Sequence, residues 1–389
     1  MASDSSDRQP SDRQARSRRG LGRLFGPMLA LAGLVAGIAL AELAAWALFE
    51  PLSSASGRYA VSYLASESTP PYASLPKASL PRVLSHPYLL YANAPGWSDQ
   101  HGPQHDDLGY RGGRGTRTKS PGVIRILALG GSTTYGWGVE KPEQAWPSKL
   151  ERLLGDLGHR VEVINAGLPY ATSAELLAGY AFRHRYLEPD VVLVHTGGND
   201  VGPMLFPGYE PEYTHFRVSA GWARRPGEGR WLAHSHLVRL LYARWLKRAQ
   251  FGAYVDQPMP FRDLDPRVAL QRVRETEPTG FSRNLAALSR LAKADGAQVL
   301  LVSFVQARED LLTRNRPDLL GLEAALVEGE RKTRVALGRV SDSEGVPHLD
   351  LRSEDFEDAW FVDNCHLDVA GQARKAELIA KALTPLLAR

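Results

Sequence analysis

From Val123 to the carboxyl terminus the chain alternates between two kinds of segment. Short apolar runs end in glycine, asparagine or serine, and stretches with helical spacing follow them. The runs are Val123–Leu129, Val161–Asn165, Val191–Thr196, Gln298–Val305 and Val346–Leu351. The helical stretches are Gln144–Leu157, Ser173–Tyr186, Phe281–Asp295, Leu319–Ser341 and a last one that Asp368 caps and that runs through Leu387. Apolar runs bounded by turn residues read as buried strands, and the stretches between them read as crossover helices. The alternation predicts an α/β domain with a central parallel sheet of about five strands, covered by helices on both faces. Ligands of such a sheet collect at the carboxyl ends of its strands.

Four polar clusters fall at those ends. The first is Gly130-Gly131-Ser132-Thr133-Thr134, within the stretch Ile124–Gly138. Two glycines permit a sharp turn, and Ser132 is the side chain that the turn presents. The second is Asn165-Ala166-Gly167 and the third is Gly197-Gly198-Asn199-Asp200. The fourth, Asp363-Asn364-Cys365-His366, lies just before the last helix. Their chemistry is complementary. A serine hydroxyl attacks poorly until a base takes its proton, and neutral imidazole suits that task. The imidazole needs a carboxylate to fix its tautomer, and Asp363 and His366 are spaced to meet on one turn. The oxyanion that forms needs preorganised donors; the backbone N–H groups of Ser132 and Gly167 and the side-chain amide of Asn199 can supply them.

With these blocks the sequence resembles the SGNH hydrolases, also called the GDSL family. Their four blocks carry, in order, a serine, a glycine, an asparagine and a histidine. Ser132 matches the first, with Gly131 where many members have aspartate. Gly167, Asn199 and Asp363-x-x-His366 match the others. The resemblance runs from Val123 to the carboxyl terminus apart from an insertion at about 201–280. The HPYLLYA and LGYRG segments and the amino-terminal apolar stretch also look like the membrane-anchored branch of that family. The resemblance implies a flavodoxin-like three-layer α/β/α sandwich and ester hydrolysis through an acyl-enzyme. It implies Ser132 as nucleophile, His366 as base, Asp363 as orienter, and Ser132, Gly167 and Asn199 as the oxyanion hole. No cofactor and no metal are expected.

Other readings of the same residues fit less well. A phosphate-cradling loop would need GxxxxGK or GxGxxG, and neither is present. An α/β-hydrolase elbow would need glycine where Thr134 stands. Ser132 and Asp363 read as simple helix caps, or Asn199-Asp200 as a plain turn, would leave the set of four unexplained. Cys365 reads as a small buried residue, and His195 as a packing residue at the end of its strand. His101, His105, Asp106 and Asp107 read as a solvated loop, because their spacing matches no ligand pair on a regular element. His234 and His236 read as residues near a helix start.

Ahead of the domain, Leu24–Phe49 is apolar except for Glu42. A helix of that length crosses a hydrocarbon core of about 30 Å. Residues 1–23 carry six arginines against three aspartates, a net +3 of the chain's +4. The positive-inside rule then puts this basic tail in the cytoplasm and the domain outside. A cleaved signal peptide and a buried helix are the alternatives; the apolar length favours an uncleaved anchor. Residues 1–20 read as disordered, 50–115 as a Ser/Pro-rich linker followed by an extended segment lying over the domain, and 116–389 as the hydrolase domain. The remaining charge balance asks for no nucleic acid partner. Within the insertion, Ser235–Arg248 reads as a helix, and residues 224–248 hold seven basic side chains against Glu228. That stretch reads as a solvated helix face with a buried apolar side, or as a surface for anionic lipid or acidic glycan.

The function expected is that of a membrane-anchored serine esterase acting on O-acyl groups, such as acetyl, of an extracytoplasmic glycan or lipid-like ester. An O-acyltransferase with a sugar hydroxyl in place of water, and a glycan-binding scaffold without catalysis, are the alternatives.

Overall fold

The computed structural model describes residues 12–53, 61, 82–86, 88–113, 117–217, 230–246 and 258–387. The chain forms two compact units, one from residues 1–69 and 225–249 and the other from 70–224 and 250–389.

The larger unit is built on a five-stranded sheet. Its strands, after a hairpin of β1 (Val83–His86) and β2 (Leu90–Asn93), are β3 (Ile124–Gly130), β4 (Val161–Gly167), β5 (Val191–Thr196), β6 (Gln298–Ser303) and the short β7 (His348–Leu349). They lie in the order β4-β3-β5-β6-β7, and every neighbouring pair is parallel. This is the flavodoxin-like strand order, with its switch point between β3 and β5.

Alternate residues of each strand feed two cores. Leu127, Leu129, Ile164, Ala166, Val192 and Val194 pack against α4 (Ser173–Phe182), α8 (Thr279–Ala294) and α9 (Glu323–Glu344). Ile126, Ala128, Val163, Val191 and Leu193 face the other way, onto α3 (Trp146–Asp156) and α10 (Val369–Leu387). Period-2 side-chain alternation in strands buried on both sides yields the three layers.

Several boundaries differ from the sequence expectation. Helix α5 (Gly198–Leu205) starts directly after β5, and α7 (Pro266–Glu275) stands within the presumed insertion. Both contribute to a third apolar cluster with Phe206, Phe216, Leu264, Leu322 and Ala325. Residues 201–217 and 258–280 therefore belong to the larger unit, and only 225–249 of the insertion is assigned to the smaller one. Residues 218–229 and 247–257 lie outside the described residues, as does most of the expected linker.

The segment 82–113 does lie over the domain, but it is not solvated throughout. His105 is buried; its Nδ1 is 2.8 Å from the Ala94 carbonyl and its Nε2 2.9 Å from the Tyr135 hydroxyl. The loop expectation fails for His105 because its ring packs on Tyr135, directly behind the Ser132 turn.

In the smaller unit, α1 (Asp12–Leu52) pairs with α6 (His236–Leu246). Helix begins at Asp12, so the expectation of disorder through residue 20 is corrected there, while residues 1–11 lie outside the described residues. The stretch Gly26–Phe49 has a mean hydropathy of 2.1 and is long and apolar enough to cross a membrane.

Candidate active site

Ser132 is the first residue of α2 (Ser132–Tyr135), separated from β3 by Gly131 alone. Its position depends on close backbone approaches. A Cβ on Gly130 would sit 2.1 Å from Thr134 Oγ1 and 2.4 Å from the His195 carbonyl oxygen. A Cβ on Gly131 would sit 2.7 Å from Asn199 Nδ2. The space beside these glycines is thus filled by Thr134, the β5 backbone and Asn199. Beneath the turn, Trp146 Nε1 donates to the Thr133 carbonyl at 3.1 Å, and His195 Nδ1 stands 3.1 Å from Thr134 Oγ1. His195 is fully buried edge-on to Trp146, and burial holds its pKa well below the usual histidine range. It braces the turn as a neutral ring.

The loop before α10 reaches the same point. His366 Nε2 is 2.8 Å from Ser132 Oγ, and His366 Nδ1 is 2.7 Å from Asp363 Oδ2. Asp363 Oδ1 accepts the backbone N–H groups of Cys365 at 3.0 Å and His366 at 2.9 Å. The carboxylate is therefore fixed by three bonds, one of which holds the imidazole. The loop is closed by the Val362 N–H donating to the His366 carbonyl at 2.9 Å. Gln372 ties it to α3, donating to the Leu367 carbonyl and accepting the Trp146 N–H at 3.0 Å. Asp368 caps α10 through the N–H groups of Ala370 and Gly371, as expected.

Charge in this loop follows the geometry. Burial of His366 disfavours its cation, but the Cys365 sulfur and the Asp363 carboxylate outweigh that and raise its pKa. For Asp363, burial works upward, while the hydrogen bond and charge of His366 and the two N–H donors prevail and lower its pKa. Asp363, Cys365 and His366 also bring their donor atoms within 4.8 Å of one another. Cys365 Sγ lies 3.8 and 4.0 Å from the two ring nitrogens, hence along neither lone pair. The trio is shaped as an acid–base pair with a thiol beside it.

Asn199, at the start of α5, donates from Nδ2 to the Ala171 carbonyl at 2.7 Å, which leaves one amide hydrogen beside Gly131. The Ser132 N–H donates to no described protein group. Gly167 is placed differently. Its N–H donates to Asn165 Oδ1 at 3.0 Å, and a Cβ there would lie 2.1 Å from the Tyr135 backbone nitrogen. Gly167 lets α2 pack onto β4, and its N–H is engaged. The β1–β2 hairpin supports the same loop, with Asn93 Nδ2 donating to the Gly167 carbonyl and Tyr91 Oη to that of Pro169, both at 2.9 Å.

Two residues to which the sequence reading gave no role of their own shape the site. Asp200 is buried and accepts bonds from Ser173, Tyr213 and Thr196, so it locks α5 to the start of α4. Burial raises its pKa to about 6 despite those donors. Trp137 follows α2, donates its N–H to the Ser132 carbonyl, and sets its half-exposed ring 6.1 Å from the His366 ring. The Arg82 guanidinium stacks 4.3 Å over that indole. The only sequence signal for Trp137 was its place just after the serine turn.

At the carboxyl edge of the parallel sheet Ser132, His366 and Asp363 thus stand in one hydrogen-bonded line. The GDSL-like lipase/acylhydrolase family model matches residues 128–374. The chain belongs to that family and is an ester hydrolase. No curated protein matches it. Among solved structures it is similar to TesA at 19% identity, over 67% of this chain and 99% of that one, with a TM-score of 0.38. It is similar to the lipase/acylhydrolase from Enterococcus faecalis at 17% identity, over 68% and 96%, with a TM-score of 0.40. An acetylxylan esterase from Geobacillus stearothermophilus is 12% identical over 69% and 97%, with a TM-score of 0.40.

Proposed function

We propose that this chain is a membrane-anchored serine esterase that removes O-acyl groups from an extracytoplasmic glycan. The observation that carries the chemistry is the line Ser132 Oγ, His366 Nε2, His366 Nδ1, Asp363 Oδ2, with spacings of 2.8 and 2.7 Å. Ser132 attacks the ester carbonyl as His366 takes its proton, and Asp363 stabilises the imidazolium. The Ser132 N–H and the free amide hydrogen of Asn199 receive the oxyanion. His366 returns the proton to the leaving alcohol, and water, activated by the same ring, releases the acid. Gly167 has no part in this scheme. The wall formed by Trp137 and Arg82 suits a sugar ring, which packs its C–H face on an aromatic surface and its hydroxyls on a cation. The anchor is Gly26–Phe49, and the arginines before it favour a cytoplasmic amino terminus.

The test is hydrolysis of p-nitrophenyl acetate and of acetylated oligosaccharides by the full chain in detergent. Ser132→Ala should abolish turnover and fluorophosphonate labelling; retained turnover sinks the assignment. Product analysis with an acceptor glycan present separates hydrolysis from transfer.

A further inference from the structure

Two features of the smaller unit lie outside this chemistry: an acidic residue within the apolar helix, and the arginine-rich stretch that follows residue 224. The structure joins them. Glu42 lies seven residues before Phe49, about 10 Å along the axis from the end of the apolar segment. Its carboxylate accepts the Ser235 hydroxyl and the backbone N–H groups of His236 at 2.6 Å and Leu237 at 3.4 Å. Ser235 Oγ accepts the Val238 N–H at 3.1 Å. The first turn of α6 thus has its orphan donors satisfied largely by a carboxylate from another helix, placed at the positive end of its dipole. A carboxylate in a membrane span is costly without such partners, so the contact explains both residues at once.

The pairing continues along both helices. The Arg239 guanidinium stacks 5.2 Å from the Phe49 ring. Ala45 of α1 and Leu240 and Ala243 of α6 are buried. In contrast, Trp231 and Leu241 are 54% and 59% exposed, beside the exposed Arg244. An aromatic and an aliphatic side chain exposed among arginines is the composition of an element lying in a headgroup layer. On α1, Leu40, Leu43, Trp46 and Leu48 are exposed as well, so an apolar surface extends over both helices.

We propose that α6 is a second membrane-contacting element, which Glu42 pins to the outer part of the anchor. Trp231 and Leu241 enter the headgroup boundary, and the arginines bind anionic phospholipid headgroups. The occupant follows from charge, seven basic residues against one acidic in residues 224–248, and from continuity with the exposed face of α1. The inference rests on α1 being the anchor, and the experiment separates the two.

Full-length protein with Cys365→Ser and Leu241→Cys is labelled with bimane at the introduced thiol. It is reconstituted into phosphatidylcholine vesicles, with or without phosphatidylglycerol, that carry a headgroup nitroxide lipid. Flotation reads the anchor, and nitroxide quenching reads α6. The expected result is flotation with quenching that strengthens when phosphatidylglycerol is present. Glu42→Ala should abolish the quenching while flotation persists, and Glu42→Gln should weaken it. Flotation without quenching overturns the inference and leaves the anchor standing, whereas loss of flotation overturns both. Quenching that ignores both Glu42 substitutions overturns the pinning. Disulfide dimers formed through position 241 by the unlabelled protein, with no quenching in the labelled one, would mean that this face meets a second copy, and would also overturn it.

Discussion

Replacing Asp363 with asparagine changes one oxygen of the relay and leaves the rest of the loop in place. The two backbone N–H groups that Asp363 Oδ1 accepts fix the orientation of the new amide: its oxygen stays on Cys365 and His366, and its NH2 group must face His366 Nδ1. An N–H cannot share that 2.7 Å contact with another N–H. The ring therefore moves its proton to Nε2, which then points a donor at Ser132 Oγ and cannot accept the serine proton. In Ser-His-Asp sites a wrong tautomer costs about 10⁴ in kcat, or ~5.4 kcal/mol of barrier. The stability cost is smaller, since one charge-assisted bond is lost, about 1.5–3 kcal/mol. Steady-state hydrolysis of p-nitrophenyl acetate, alongside thermal unfolding followed by circular dichroism, separates the two effects. A variant that folds and keeps kcat within about tenfold of the parent would refute the tautomer argument, because so small a loss is incompatible with a base that has no free lone pair.

Five further outcomes rest on the same structure. Asn199→Ala should lower kcat by about 10²–10³, the usual cost of one oxyanion donor, with KM for p-nitrophenyl acetate little changed. The acidic limb of kcat/KM should rise with pH and have its midpoint above the ordinary histidine value of 6.5, because catalysis needs neutral His366 and the loop raises its pKa. Cys365→Ala should shift that limb to lower pH; a limb that does not move would exclude the sulfur as a cause. Lys375 is fully buried in α10, and burial lowers its pKa from 10.5 to about 8. The unfolded chain binds more protons between those values, so stability should increase as pH rises from 8 toward 10.5. Denaturant titrations of Lys375→Met should show this dependence removed. Gly167→Ala should lower the melting temperature by several degrees, since its Cβ meets the Tyr135 backbone, which has no room to move away from β4.

The order of elements and the meeting of Ser132, Asp363 and His366 were legible because each rests on a local signal. Apolar runs that end in glycine, serine or asparagine mark strands with polar ends, and Asp363 and His366 are close in sequence as well as in space. What escaped notice depends on distant neighbours. Helix α5 opens with glycine and contains Pro203, so its propensity argues against it; the buried Asp200 network and the packing of Val201, Met204 and Leu205 hold it together. Helix α7 did announce itself, with Asp265 as cap and Pro266 at its first position, but the absence of a strand after it hid its place in the fold. His105 is spaced like a loop residue, and Tyr135, thirty positions away, helps Ala94 and Trp97 to enclose it. Gly167 matched a motif for one reason and is required for another: the backbone of α2 passes too near for any side chain.

Ser132 and His366 stand 234 positions apart in the chain. The Ser132 turn is made with β3 near the start of the domain, whereas His366 arrives with the last loop, which Gln372 of the final helix ties to Trp146. On the proposed roles, a polypeptide still emerging from synthesis therefore carries a serine with no proton acceptor. It is chemically silent toward every ester it passes, and hydrolysis begins only when the carboxyl-terminal helix seats and completes the fold.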